Sequence, residues 1–197
     1  MIIYIHGFGG SGKGAKASAF RKHYTDKGVD FLAPSLSYTP QLAISTLDEI
    51  ISTCKNRDIK LIGSSLGGFY AIYLANKYNL KTVLINPSTN PMKTLYKLIE
   101  ERNGKALNYF DLSEFDFNLN HILMLKNYYV RELKKENFLL MLQKDDDVID
   151  YKSSKKYQNR HKNQVNEYKN ALKAIYNKSV KGYLVYLLES GVEIDEV

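Results

Sequence analysis

One cysteine in 197 residues excludes an internal disulfide and leaves no cysteine cluster to hold zinc. That thiol, Cys54, lies in "DEIISTCKN", where helical spacing makes it a half-buried small hydrophobe. A cytoplasmic setting is therefore the expectation. No apolar run approaches the roughly 20 residues of a membrane span. The opening "MIIYIHG" has neither a basic leader nor a small-residue cleavage site, so it is expected to be a core strand and not a signal peptide. Acidic residues are outnumbered, 21 against 28 Lys plus Arg. The basic residues are spread out, many of them after residue 150, and no recognition helix, finger or aromatic–basic RNA motif accompanies them. Neither nucleic acid nor membrane is an expected partner. Tryptophan is absent beside sixteen tyrosines, which reads as a compositional habit.

What is present is an alternation. Short apolar runs at 2–6, 29–36, 59–64, 81–87 and 138–143 are separated by helical patterns at 15–28, 40–56 and 67–79. Strand, helix, strand with continuous apolar strands predicts an α/β architecture, a doubly wound, mostly parallel sheet with helices on both faces. The whole chain, 1–197, reads as a single domain. Between the fourth and fifth strands, "MKTLYKLIEERNG" (92–104) and "NHILMLKNYYVRELKKE" (120–136) read as helices. The insertion over 88–136 is either a helical cap on the sheet or a plain packing pair.

Two glycine-rich stretches carry the chemistry. "GFGGSGKG" places Gly7, Gly12 and Lys13 as a phosphate-binding loop would, but Gly14 stands where Ser or Thr should ligand magnesium. "LIGSSLGGFYAI" contains Gly63, Ser65 and Gly67, a G-x-S-x-G pattern at a strand-to-helix junction. Such a turn projects the serine hydroxyl from the sheet's C-terminal edge, and the next amide, that of Leu66, opens a helix. Partial positive charge there favours an oxyanion. A second oxyanion donor in hydrolases of this kind comes from the loop after an earlier strand. "YIHGFGG" supplies it as the Phe8 amide, with His6 shaping the loop. The oxyanion reading explains both stretches and the phosphate reading only one, so no nucleotide, other cofactor or metal is expected.

"MIIYIHGF", "LIGSSLGGFYA", "LINPS" and "LLMLQKDDDVIDY" together resemble the YqiA/YcfP-type (UPF0227) esterases, small α/β-hydrolases, from residue 1 to about 157. The resemblance implies a Ser-Asp-His esterase with Ser65 as nucleophile and, laid over "QKDDDVIDY", Asp146 as the acid. A carboxylate in the loop leaving a late parallel strand sits on the same edge as Ser65 and can orient an imidazole. Asp145 and Asp147 are one register slip away, and Asp150 reads as a helix N-cap.

The histidine is the gap. The resemblance places the base after one more strand, in a Gly-Gly-x-His-x-Phe-like loop, which is absent here. Of His6, His23, His121 and His161 only His161 follows Asp146, as the order Ser, acid, His requires. It is the catalytic candidate, although a helix rising 1.5 Å per residue would carry it about 15 Å from the site. His121 would need a different order. The segment 158–197 departs from the family pattern, ending in "YLVYLLESG" as a last strand and turn. The expected function is hydrolysis of small acyl esters or thioesters through a Ser65 acyl-enzyme. The alternative is a hydrolase-fold protein without a complete triad that binds a small ligand or a protein partner.

Overall fold

A computed structural model describes residues 1–88, 90–131, 138–143, 183–188 and 191–196. The chain runs β1 (Ile2–Ile5), α1 (Ala15–Asp26), β2 (Phe31–Leu32), α2 (Pro40–Thr53), β3 (Lys60–Ser64), α3 (Leu66–Tyr78) and β4 (Lys81–Ile85). It continues through α4 (Pro91–Glu101), β5 (Lys105–Leu107), β6 (Glu114–Asp116), α5 (Leu119–Leu125), β7 (Phe138–Gln143), β8 (Tyr183–Leu188) and β9 (Gly191–Glu196). The main sheet has seven strands in the order β2-β1-β3-β4-β7-β8-β9. Its first six are parallel and β9 returns antiparallel along β8.

The chain leaves β1 towards β2 on one side, then crosses β1 to reach β3 on the other. That reversal places α1 and the later helices on opposite faces, because parallel crossovers are right-handed. The side chains follow the pleat. Ile3, Ile5, Leu61 and Leu84 are buried with Ala43, Leu47, Ala71 and Leu74 of α2 and α3. Tyr4 and Ile62 face the other way, against Ala17, Phe20 and Tyr24 of α1. The doubly wound, mostly parallel sheet expected from the alternation is the one observed.

Local chemistry sets the boundaries. Pro40 and Pro91 open α2 and α4, where a missing amide hydrogen costs nothing. α3 ends on Asn79 in the left-handed conformation, φ 58°. Three expectations are corrected. The second strand shrinks to Phe31–Leu32, because Pro34 leaves the following residues unable to continue a ladder. Between α4 and α5 an antiparallel hairpin, β5–β6, stands where the sequence showed only helices. The chain after "YLVYLLESG" is a further strand, pairing Leu188 with Gly191 and Tyr183 with Glu196. Among the described residues no helix is long and apolar enough to cross a membrane.

Candidate active site

The crevice sits where the strand order reverses, between the ends of β1 and β3, the place where open parallel sheets bind ligands. Register alone brings the two glycine-rich stretches together. Ile5 lies opposite Gly63, so two residues on Gly7 meets Ser65: a Cβ on Gly7 would stand 3.0 Å from the Ser65 Cβ and 3.5 Å from its Oγ.

Ser65 takes φ 54° and ψ −122°, a left-handed backbone for a residue with a side chain. Its neighbours hold it there. The Ser65 amide donates to Ile85 O at 3.1 Å, and its carbonyl accepts from Gly68 and Ser88, each at 2.9 Å. A Cβ on Gly67 would overlap the Ile5 carbonyl oxygen, so only glycine lets α3 start this close to β1. Buried residues surround Ser65, yet Ser65 itself is exposed. Strain of this kind persists where surrounding packing imposes it, and it clusters at functional positions.

The Leu66 amide is the first of α3 and has no partner within its helix. Among the described residues no backbone acceptor outside helices and strands meets the Phe8 or Leu66 amide. A cavity of about 20 Å³ lies among residues 6–10 and 36–38 with Leu66 and Tyr70. That is room for roughly one oxygen-sized group, bordered by both residues expected to supply donors.

His6 shapes the loop. The Leu36 amide donates to its Nε2 at 3.0 Å, which fixes the proton on Nδ1, and Nδ1–H donates to Gly7 O at 2.8 Å. Both ring nitrogens are occupied. Burial holds its pKa below the ordinary histidine value, the Gly7 bond opposing weakly. Burial likewise raises the Tyr70 phenol well above its usual range.

The phosphate-loop resemblance dissolves in the same loop. The Gly12 amide donates to Ser35 Oγ and the Lys13 amide to Ser11 Oγ, each at 3.1 Å, and Ser11 and Ser35 hydroxyls meet at 3.1 Å. The Gly14 amide is taken by Ser11 O. Amides that would cradle phosphates are already engaged. Ser35 is the residue sequence reasoning missed; nothing in "APSLS" distinguishes it from an ordinary post-strand serine.

The remaining histidines divide. His121 caps α5: its Nδ1 accepts from the Asn118 amide at 3.1 Å, and its ring stacks on Phe117. His23 lies on α1, edge-on to Tyr24. Asp145, Asp146, Asp147, Asp150 and His161 lie outside the described residues. β7 ends at Gln143 on the same sheet edge as Ser64 and Ile85. Beyond β8 only Glu189 and Ser190 intervene in the sequence before β9 pairs back, and neither is a histidine.

Comparison with known proteins agrees with this architecture. Residues 1–179 match the family described as Uncharacterised protein family (UPF0227). A UPF0227 protein of Shewanella woodyi is 27% identical over 156 residues, covering 76% of this chain and 78% of that protein. Among solved structures, Est1E from Butyrivibrio proteoclasticus with bound ferulic acid superposes with TM-score 0.60 at 15% identity, covering 94% of this chain and 78% of that one. A structure from the metagenome-derived lipolytic enzymes LipS and LipT gives TM-score 0.60 at 13% identity, covering 95% of this chain and 82% of that one. The fold is that of the α/β-hydrolases.

Proposed function

Since the chain belongs to the UPF0227 family and has the α/β-hydrolase fold, we propose that it is a serine esterase or thioesterase acting on small acyl substrates. Ser65 Oγ attacks the acyl carbonyl, the Phe8 and Leu66 amides receive the oxyanion, and the leaving alcohol or thiol departs with a proton. Water then releases the acid from the Ser65 acyl-enzyme. Asp146 orients the base, and His161 is the candidate for it. The observation carrying this reading is the exposed Ser65 at φ 54°, pressed against Gly7 beside the small cavity. An elbow strained in that way has no structural use for a serine.

A second reading has its own observation. Both nitrogens of His6 are bonded, His121 caps a helix, and the β8–β9 connection contains no histidine. A serine with no proton acceptor is a weak nucleophile at neutral pH. On this reading the protein binds an acyl ligand or a partner without turnover.

A fluorophosphonate probe separates the two. Ser65-dependent labelling, abolished in Ser65→Ala, with p-nitrophenyl butyrate hydrolysis falling at least ~10³-fold, supports the esterase. His161→Ala should then fall by a similar factor. No labelling of the wild type supports the binding protein.

A further inference from the structure

The loop that offers the Phe8 amide is gripped from a side that the catalytic elements do not explain. The Tyr109 amide, in the β5–β6 hairpin, donates to Gly9 O at 2.7 Å. Gly9 has φ +63°, and a Cβ there would overlap the Leu107 carbonyl and stand 3.0 Å from the Tyr109 ring. One residue earlier, the Phe8 ring meets Phe117 edge-on at 4.7 Å and Phe115 at 5.6 Å between centroids. Phe115 in turn stacks on Tyr38 at 3.5 Å, with ring planes 5° apart. Asn108, buried at the start of the hairpin tip, donates from Nδ2 to the Tyr38 hydroxyl at 3.0 Å and accepts the Phe110 amide at 2.9 Å.

We propose that the β5–β6 hairpin is a clamp for the oxyanion loop, with Phe115 and Phe117 as positioning residues that aim the Phe8 amide. The inference rests on the esterase reading. Its physical content is simple. His6 fixes the start of the loop through Leu36, and the Gly10 amide closes a turn over Phe8 and Gly9 by donating to Gly7 O at 3.1 Å. The hairpin sets the orientation of that turn twice, by holding the Phe8 ring and by binding the next carbonyl. A donor gains its effect from being oriented before charge develops. The hairpin acts through Phe8 and does not touch the reacting atoms.

The test is a set of variants, Phe115→Ala, Phe115→Leu, Phe117→Leu, Phe8→Ala and the double Phe8→Ala/Phe115→Ala. Each is assayed for fluorophosphonate labelling, for kcat and KM on p-nitrophenyl butyrate, and for affinity towards a trifluoromethyl ketone and its methyl ketone counterpart. The trifluoromethyl ketone, once attacked, mimics the oxyanion; the methyl ketone mimics the ground state. Removing a whole oxyanion donor costs about 10²–10³ in kcat, so a misaimed one in Phe115→Ala should cost roughly 10–100-fold with KM little changed. Trifluoromethyl ketone affinity should fall by the same factor and methyl ketone affinity should hold. Phe115→Leu should recover part of the loss. In the double variant the two effects should be strongly non-additive, because position 115 acts through the Phe8 ring and that ring is gone. If Phe115→Ala fails to fold, Phe117→Leu and Phe8→Ala carry the same comparison. Unchanged kcat with lowered melting temperature, or equal loss of both ketones, overturns the clamp while leaving the esterase intact. Absence of Ser65-dependent labelling in the wild type overturns both.

Discussion

The two glycine-rich loops, 7–14 after β1 and 63–68 around Ser65, look alike on paper and differ in where their polar groups go. In the second part of the first loop the amides of Gly12, Lys13 and Gly14 are all spent on Ser35 and Ser11. Around Ser65 the backbone is spent on strand and helix ends, while the hydroxyl-bearing side chain stays exposed. Gly12 and Gly67 serve one purpose, close approach: a Cβ on either would overlap a carbonyl, that of Ala33 or of Ile5. Glycine content therefore announces tight packing. Only the accounting of donors and acceptors tells a phosphate cradle from an oxyanion site.

Substitutions can pull the two loops apart. The largest effect is expected for Gly67→Ala. Overlap with the Ile5 carbonyl should cost about 3 kcal/mol in a urea melt and remove Ser65 labelling. Gly12→Ala should cost a comparable amount, yet the folded fraction should still label. If both variants lose labelling to the same degree, the loops are not functionally distinct. Ser35→Ala comes next: it strips the Gly12 amide of its acceptor and should cost roughly 1–3 kcal/mol, with the probe reaction retained.

A smaller effect is expected from pH. His6 is held neutral in the folded protein, with its pKa below the unfolded value of about 6.5. Its contribution is thus fully present above pH ~6.5 and is lost as pH falls through the lower folded value, because the unfolded chain takes up the proton first. The melting temperature of the wild type should drop on acidification from about pH 7 to pH 5 more than that of His6→Asn. Equal drops would mean that the ring is not held as the Leu36 and Gly7 bonds indicate. The smallest effect should be Gly14→Ser, which completes the phosphate-loop pattern in sequence. Stability should stay within about 0.5 kcal/mol, and titration with magnesium and ATP should show no binding, since the amides remain engaged.

The parts of the fold legible in the sequence were those where one pattern dominated. Continuous apolar runs marked β1, β3, β4 and β7, the first three of them ending at glycine or proline. The Gly63–Ser65–Gly67 spacing located the elbow because a strand pattern preceded it and a helix pattern followed. The hairpin β5–β6 was invisible for a physical reason: each strand has three residues, with only Ala106 and Phe115 buried. Two buried side chains make no periodicity. β9 does leave a signal, since "GVEIDE" alternates apolar and acidic residues. The helix expected over 120–136 ends at Leu125, and a 3₁₀ turn over Lys126–Tyr128 follows. Tertiary neighbours, and not local sequence, made the anchors of the loop after β1: Ser35 and Phe115 are remote from it in the chain.

One property of Ser65 bears on stability alone. Its backbone angles, φ 54° and ψ −122°, are ones that glycine adopts at little cost and serine does not. A glycine at position 65 should therefore leave the folded chain tougher than the serine does, because the strain comes from the Cβ and not from the hydroxyl. Breeding this protein for heat tolerance alone should replace Ser65 by glycine early. A hot-adapted relative that keeps the serine must have found its extra robustness elsewhere.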